Sequence, residues 1–300
     1  MSSSITPKNT SAPSREFTGS QFNNTLTNQN ILGTIKMIFP DRILAKEIAR
    51  ILCKNSTDLV TASELMKLRQ ITLNSSNINN SIKNLKGIQY LTELQKLDLI
   101  GNKISDLRPL SRLTNLQELY LTYNRISDVS PLSELAGLRW LDVSFSYNQL
   151  DLNSFSGLTS LIWLNLSCNQ IKDVSFLSRL TSLEFLYLNA NKIINVSPLA
   201  SLTALKHLNL NANKINDLRP LSSLSKERLL AHGQFIQLNS GSTKDPNPLS
   251  LFNQDASSPL ISPRRGKFEN NLITWETSGM NRLSWDNSTN FSGIACQKTF

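Results

Sequence analysis

From Leu94 onward leucine returns with a fixed beat. Leu94, Leu116, Leu138, Leu161, Leu183 and Leu205 open segments spaced 22, 22, 23, 22 and 22 residues apart. Each segment runs L-x-x-L-x-L-x-x-N-x-I, as in Leu116, Leu119, Leu121, Asn124, Ile126 and again in Leu183, Leu186, Leu188, Asn191, Ile193. Side chains of a strand alternate between faces, so x-L-x-L predicts a short strand whose leucines point in and whose x residues point out. The asparagine series Asn102, Asn124, Asn148, Asn169, Asn191 and Asn213 falls where the chain leaves that strand, and a buried amide there can satisfy backbone groups. Pro109, Pro131, Pro198 and Pro220 recur further on. Proline fixes φ and interrupts strand and helix alike, so this back segment is expected to be a tight 3-10 turn.

Six such copies in register carry the leucine-rich repeat signature. They predict an α/β chain folded as a right-handed leucine-rich repeat solenoid, parallel strands plus 3-10 turns, in which each unit is buried by its neighbours. The third copy departs from the rule. Its strand exit, Ser144-Phe145-Ser146-Tyr147-Asn148, is two residues longer than its neighbours, and Ser154-Phe155 replaces Pro-Leu. A loop bulging outward with Phe145 and Tyr147 is expected there, tucked on the solenoid or touching a ligand.

A solenoid needs its ends covered. Pro40-Asp41 leads into a helical pattern with Leu44, Ile48, Ile51 and Leu52 on one face, and Thr61 with Glu64 forms a capping box before Leu65. Residues 31–75 are therefore expected to be a helical cap and 76–238 the repeats. Beyond Leu238 short alternating runs such as Leu272/Ile273/Trp275 and Leu283/Trp285 predict a small β region over 239–300. Residues 1–30, with 16 Ser, Thr or Asn, read as a disordered extension.

The cap IFPDRILAKEIARILCKNSTDLVTASEL, the link KGIQYLTEL, repeats such as NKISDLRPL and NRISDVSPL, and the late FSGIACQ resemble the internalin family of bacterial invasion-associated proteins. The resemblance spans about residues 31–300. It implies a helical cap, the repeats and an immunoglobulin-like β region fused into one domain whose concave face binds host proteins. Residues 1–30 lack the charged start and apolar core of a secretory signal, and no cell-wall sorting motif follows. The expected location is secreted or delivered to a host, with the cytoplasm as the alternative.

Composition narrows the chemistry. No apolar run reaches the roughly 18–20 residues of a membrane-spanning helix. Cys53, Cys168 and Cys296 stand far apart without metal-type spacing, and His207 and His232 are the only histidines. Cys168 and His207 lie two repeats apart, beyond hydrogen-bond reach, and no Gly-rich phosphate loop occurs. The expectation is no catalysis, no metal and no cofactor. The net charge of +9 is concentrated over residues 31–90, where nine basic residues face four acidic ones. Nucleic-acid binding would require a basic stripe along the groove, which the repeats do not show.

The repeat register predicts the outward columns of the concave sheet. The first holds Lys96, Glu118, Trp140, Trp163, Phe185 and His207, and the second Asp98, Tyr120, Asp142, Asn165, Tyr187 and Asn209. A third holds Ile100, Thr122, Ser144, Ser167, Asn189 and Asn211. Strands about 4.8 Å apart would set Trp140, Trp163 and Phe185 in one ladder, flanked by Tyr120 and Tyr187. With His207, Phe145 and Tyr147 these are the expected partner-binding residues of a monomeric module that takes a protein partner, a host-cell protein on the family's example. An intracellular scaffold, similar to phosphatase regulators with 22-residue repeats, is the alternative.

Overall fold

The leucines of the repeat frame do close into one core: Leu116, Leu119, Leu121, Ile126, Leu183, Leu186, Leu188 and Ile193 are all fully buried. The structure is a computed structural model and describes residues 30–76, 80–148, 150, 152–242, 247–264, 266–287 and 290–299. The expected disordered extension therefore lies, apart from Asn30, outside the described residues.

The N-terminal end begins with β1 (Ile31–Thr34), α1 (Ile35–Ile38), α2 (Arg42–Ile51), β2 (Leu59–Thr61) and α3 (Ala62–Met66). Leu44, Ala45, Ile48 and Ala49 face inward from α2. Asp41 caps that helix, one carboxylate oxygen accepting from the Ile43 and Leu44 amides at 2.9 and 3.1 Å. Its other oxygen accepts from the Lys83 and Asn84 amides at 2.8 and 3.2 Å, so a single side chain starts the helix and ties it to the repeats. The Thr61–Glu64 capping box is complete. Its glutamate is also held by Lys54, and these bonds keep the Glu64 carboxyl below the usual carboxylate range.

The parallel sheet starts earlier than the leucine beat, within the segment expected to be cap, at β3 (Gln70–Thr72). It continues through β4 (Lys96–Asp98), β5 (Glu118–Tyr120), β6 (Trp140–Asp142), β7 (Trp163–Asn165), β8 (Phe185–Tyr187) and β9 (His207–Asn209) to β10 (Leu229–Gln237). The prolines sit inside the 3-10 turns Arg108–Leu110, Ser130–Leu132, Ser197–Ser201 and Arg219–Leu221. Where proline is missing, Phe155 and Phe176 fill the back layer, buried and edge to face at 6.4 Å.

Between strands and turns runs a ladder of buried amides. Asn191 donates to the carbonyls of Leu188 and Leu166 at 2.9 and 3.0 Å and accepts the Ile171 amide at 3.1 Å. Asn102, Asn124 and Asn213 repeat this scheme. Gln234 extends it by one rung, donating to Leu210 and Ala231 and accepting from Ile215. The expected place of Asn148 in this series is corrected. Ser146 occupies the rung, buried with its hydroxyl unpaired, while Asn148 lies two residues beyond and donates to the Ile126 carbonyl. One rung later Asn169 still donates to Val143 and Leu166, but its carbonyl oxygen has no partner among the described residues. The longer exit of the third copy therefore breaks the ladder at its centre.

At the far end the solenoid sheet does not stop. After β11 (Asn247–Pro248), β12 (Leu260–Pro263), β13 (Gly266–Glu269), β14 (Leu272–Trp275) and β15 (Gly279–Asp286), the last strand β16 (Phe291–Thr299) pairs parallel with β10. Strands β15 and β12 add antiparallel outside it, giving an 11-stranded sheet. A three-stranded sheet, in the order β11, β14, β13, faces this extension. Trp275, Ile273, Leu283 and Trp285 fill the space between, and the Trp275 indole donates to Gln297 at 2.6 Å. At Gly293 a Cβ would lie 2.4 Å from the Gln234 carbonyl oxygen, so only glycine lets β16 reach β10 this closely.

Candidate functional site

The outward column residues Trp140, Trp163, Phe185 and His207 stand directly opposite one another across β6 to β9. All four rings are half-buried rather than freely exposed. Ring contacts do not follow the column. They run diagonally, from Trp163 to Tyr187 at 5.5 Å between centroids and from Tyr187 to His207 at 5.1 Å. The diagonal arises because a side chain leans along its strand, so rings two residues apart on neighbouring strands meet. Trp140 is covered instead by the Arg139 guanidinium, 5.3 Å from its ring.

Tyr120 keeps its second-column place opposite Asp142, but its side-chain contacts differ from those of Tyr187. Its hydroxyl donates to Glu118 at 3.0 Å, Glu118 pairs with Lys96 at 2.6 Å, and the Lys96 ammonium lies 5.4 Å from the Tyr120 ring. Desolvation, with the Glu118 hydrogen bond second, pushes the Tyr120 phenol up to about 12. Tyr120 thus belongs to a charged cluster at one end of the face, and the ring contacts gather at the other.

The floor between them is polar and closed. Asp142 is 9% exposed and accepts from the Ser144 amide at 2.9 Å and from Asn165 at 3.1 Å. Asn165 in turn accepts the Ser167 amide at 3.0 Å. Ser144 and Ser167, expected to face solvent, are 1% and 4% exposed, because these turns fold their hydroxyls back onto the second column. Beside β6 and β7 the usable surface is thus narrower than three columns, while Ile100, Thr122, Asn189 and Asn211 stay half-exposed.

The third-copy loop also differs from expectation. Gly101, Tyr123, Phe145, Cys168, Ala190, Ala212 and Gly233 share one left-handed backbone position, with φ from 55° to 75°. Phe145 is therefore a regular member of the repeat rather than part of an insertion, and its ring packs on Tyr123 at 4.5 Å. Tyr147 projects, 61% exposed, and meets Phe145 edge on at 6.0 Å. Tyr123, 52% exposed, was missed as a site candidate. It and Phe145 occupy a position where the other copies carry Gly, Ala or Cys, and that size mismatch was the signal. Cys168 takes the same position, and burial pushes its thiol up. Cys168 lies past the end of β7, whereas His207 opens β9, two strands on, so the two stand at opposite ends of their strands. Among the described residues no group of three or more His, Cys, Asp or Glu could hold a metal ion, and no helix is long and apolar enough to cross a membrane.

Family comparisons bear on what such a face is for. Residues 92–134, 159–201 and 181–223 match the model of leucine-rich repeats in two copies, and residues 24–66 match a bacterial adhesion/invasion protein N-terminal model. The chain is 34% identical to the crystal structure of internalin C2 from Listeria monocytogenes, covering 71% of this chain and 88% of that one, with a TM-score of 0.61. The chain belongs to the internalin family. It is also 35% identical to internalin InlF of the same organism over 74% of its own length, with a TM-score of 0.61. It spans 65% of that InlF chain. InlP of Listeria monocytogenes, at 18% identity and a TM-score of 0.53, shares the fold. An internalin-type repeat domain is a protein-interaction fold, and its strands, turns and C-terminal strand region are those seen here.

Proposed function

We propose that this internalin-family chain is a non-catalytic, monomeric binding module that takes a protein partner, a host-cell protein, on its concave face. The supporting observation is the Trp163–Tyr187–His207 ring path, with Phe185 in register beside it and Trp140 one strand away. Trp and Tyr supply large contact area at low cost in side-chain order, and here their rings are already placed by neighbouring strands. The Lys96–Glu118–Tyr120 cluster forms a charged rim that fixes the partner's register. Phe145, Tyr147 and Tyr123 extend the contact at the strand-exit edge. Secretion or delivery to a host is part of the same reading, supported by the match of residues 24–66 to adhesion and invasion proteins.

The test is affinity capture from a host-cell surface fraction with the unaltered chain and with Trp140→Ala/Trp163→Ala. Loss of each anchor is expected to weaken binding by at least about 30-fold, since hot-spot truncations cost about 2 kcal/mol or more. The lost Trp163–Tyr187 contact should itself lower stability by about 0.5–1.5 kcal/mol, on top of the area the two half-buried rings cover. Capture unaffected by the double substitution would remove the concave face from the proposal.

A further inference from the structure

The cap carries a second candidate site, remote from the concave strands. A groove of about 670 Å³ opens beside α2 and is rimmed by five cations, Lys36, Arg42, Lys46, Arg50 and Lys54. They come from three segments: Lys36 from α1, the arginines and Lys46 from α2, and Lys54 from the turn after it. Arg42, Lys46 and Arg50 are four residues apart, so they share one face of the helix. Arg50 is paired with Glu47 at 2.8 Å and Lys54 with Glu64. Lys36, Arg42 and Lys46 have no ion pair among the described residues. No carboxylate lines the groove. Its depth comes from Ala45 and Ala49, which leave room where longer side chains would fill the space, and Ser56 and Asn55 add neutral hydrogen-bonding groups at one end.

We propose that this groove binds a compact polyphosphate, with the phosphates clustered as in a phosphorylated inositol headgroup. Lys36, Arg42 and Lys46 line one groove without a carboxylate partner, and like charges so placed repel one another unless an anion sits among them. Guanidinium groups match phosphate oxygens in a two-pronged fashion, and ammonium groups act as point charges beside them. A compact ligand suits the cluster of Lys36, Arg42 and Lys46, the cations of the groove that have no ion pair among the described residues. An extended acidic peptide, rising about 3.3 Å per residue, would carry most of its carboxylates past them. The volume lies within the range of about 300–1,000 Å³ usual for small-ligand sites. The cations are exposed, so binding should weaken steeply as salt is raised.

The test titrates the full chain with inositol hexakisphosphate by calorimetry, beside Arg42→Glu/Lys46→Glu and a control of equal charge change on the solenoid, Lys192→Glu/Lys214→Glu. Saturable binding with one ligand per chain is expected. It should weaken about tenfold or more in the cap variant and stay within about twofold in the control. Arg42→Gln/Lys46→Gln, with melting curves for all variants, separates lost binding from lost folding. Vesicles of phosphatidylcholine doped with phosphatidylinositol bisphosphate distinguish the two sources. Sedimentation with them, competed by the soluble probe, assigns a lipid headgroup, and binding of the soluble probe alone assigns a free polyphosphate. Equal weakening in cap and control variants, no saturable binding, or cap-dependent binding confined to polyglutamate or an oligonucleotide overturns the proposal. None of these outcomes depends on the concave face.

Discussion

Asn169 and Asn191 occupy successive rungs of the same buried ladder, yet their replacement by alanine should differ in cost. Asn191 makes three hydrogen bonds near 3 Å, to the Leu166 and Leu188 carbonyls and from the Ile171 amide. Both carbonyls keep a second amide after its removal, from Asn169 and Asn213. The Ile171 N–H keeps none. At about 1 kcal/mol net per bond, Asn191→Ala should cost about 3 kcal/mol, with the stranded amide adding to that. Asn169 makes two such bonds, to Val143 and Leu166, and its carbonyl oxygen has no partner among the described residues. Losing about 2 kcal/mol of bonds while removing a buried orphan acceptor leaves about 1 kcal/mol, and the stranded Val143 carbonyl adds to it as the stranded Ile171 amide does for Asn191. Both truncations remove the same atoms, so most of the void cost cancels in the difference. The gap, about 2 kcal/mol, moves a urea midpoint by about 0.7 M if the slope is about 3 kcal/mol per molar. Urea unfolding followed by circular dichroism measures it, provided the slope is unchanged, since repeat arrays can lose cooperativity. Asn169→Ala proving as destabilising as Asn191→Ala would refute the account of a broken ladder.

Tyr120 should ionise well above the ordinary phenol range. In an ultraviolet titration Tyr120→Phe is expected to remove the step near 12, and Glu118→Gln to move it downward, because the carboxylate is one cause of its elevation. The Glu64 carboxyl is depressed in the folded chain by Lys54 and the Thr61 backbone. Its stabilisation is present above the carboxyl's unfolded value and lost as pH falls through the lower folded value. Glu64→Gln should therefore narrow the difference in unfolding free energy between pH 7 and strongly acid buffer, and an unchanged difference would contradict that sign. Cys168 is partly covered and its thiol is raised by burial, whereas Cys53 is exposed. Iodoacetamide at mildly alkaline pH should label Cys53 well before Cys168, with peptide mapping as the readout.

The repeat frame was legible because it is local. Spacing from Leu94 to Leu205 dictates which side chains turn inward, and the period of a strand does the rest. Helix starts at Asp41 and Thr61 were equally legible, since a cap is a matter of three or four residues. Column membership of Trp140, Trp163, Phe185 and His207 followed from the same register. Less legible was anything decided by what lies across a strand gap. Letter identity pointed to Asn148 as a ladder residue, but the rung is set by stacking on the neighbouring copies, which places Ser146 there and recruits Gln234 at the end. Ring contacts depend on side-chain lean, so Tyr187 joins Trp163 and His207 while Tyr120 turns to Glu118.

Periodicity alone therefore dictated a parallel-strand solenoid with a capped start and an aromatic column, because each of these follows from neighbours within about one repeat. Tertiary packing decided the rest. It joined β16 to β10 across more than fifty residues of chain, buried Ser144 and Ser167, and gathered Lys36, Arg42 and Lys54 around one groove. These features rest on contacts between segments whose separation carries no periodic signal, and the folded backbone is what brings them within reach.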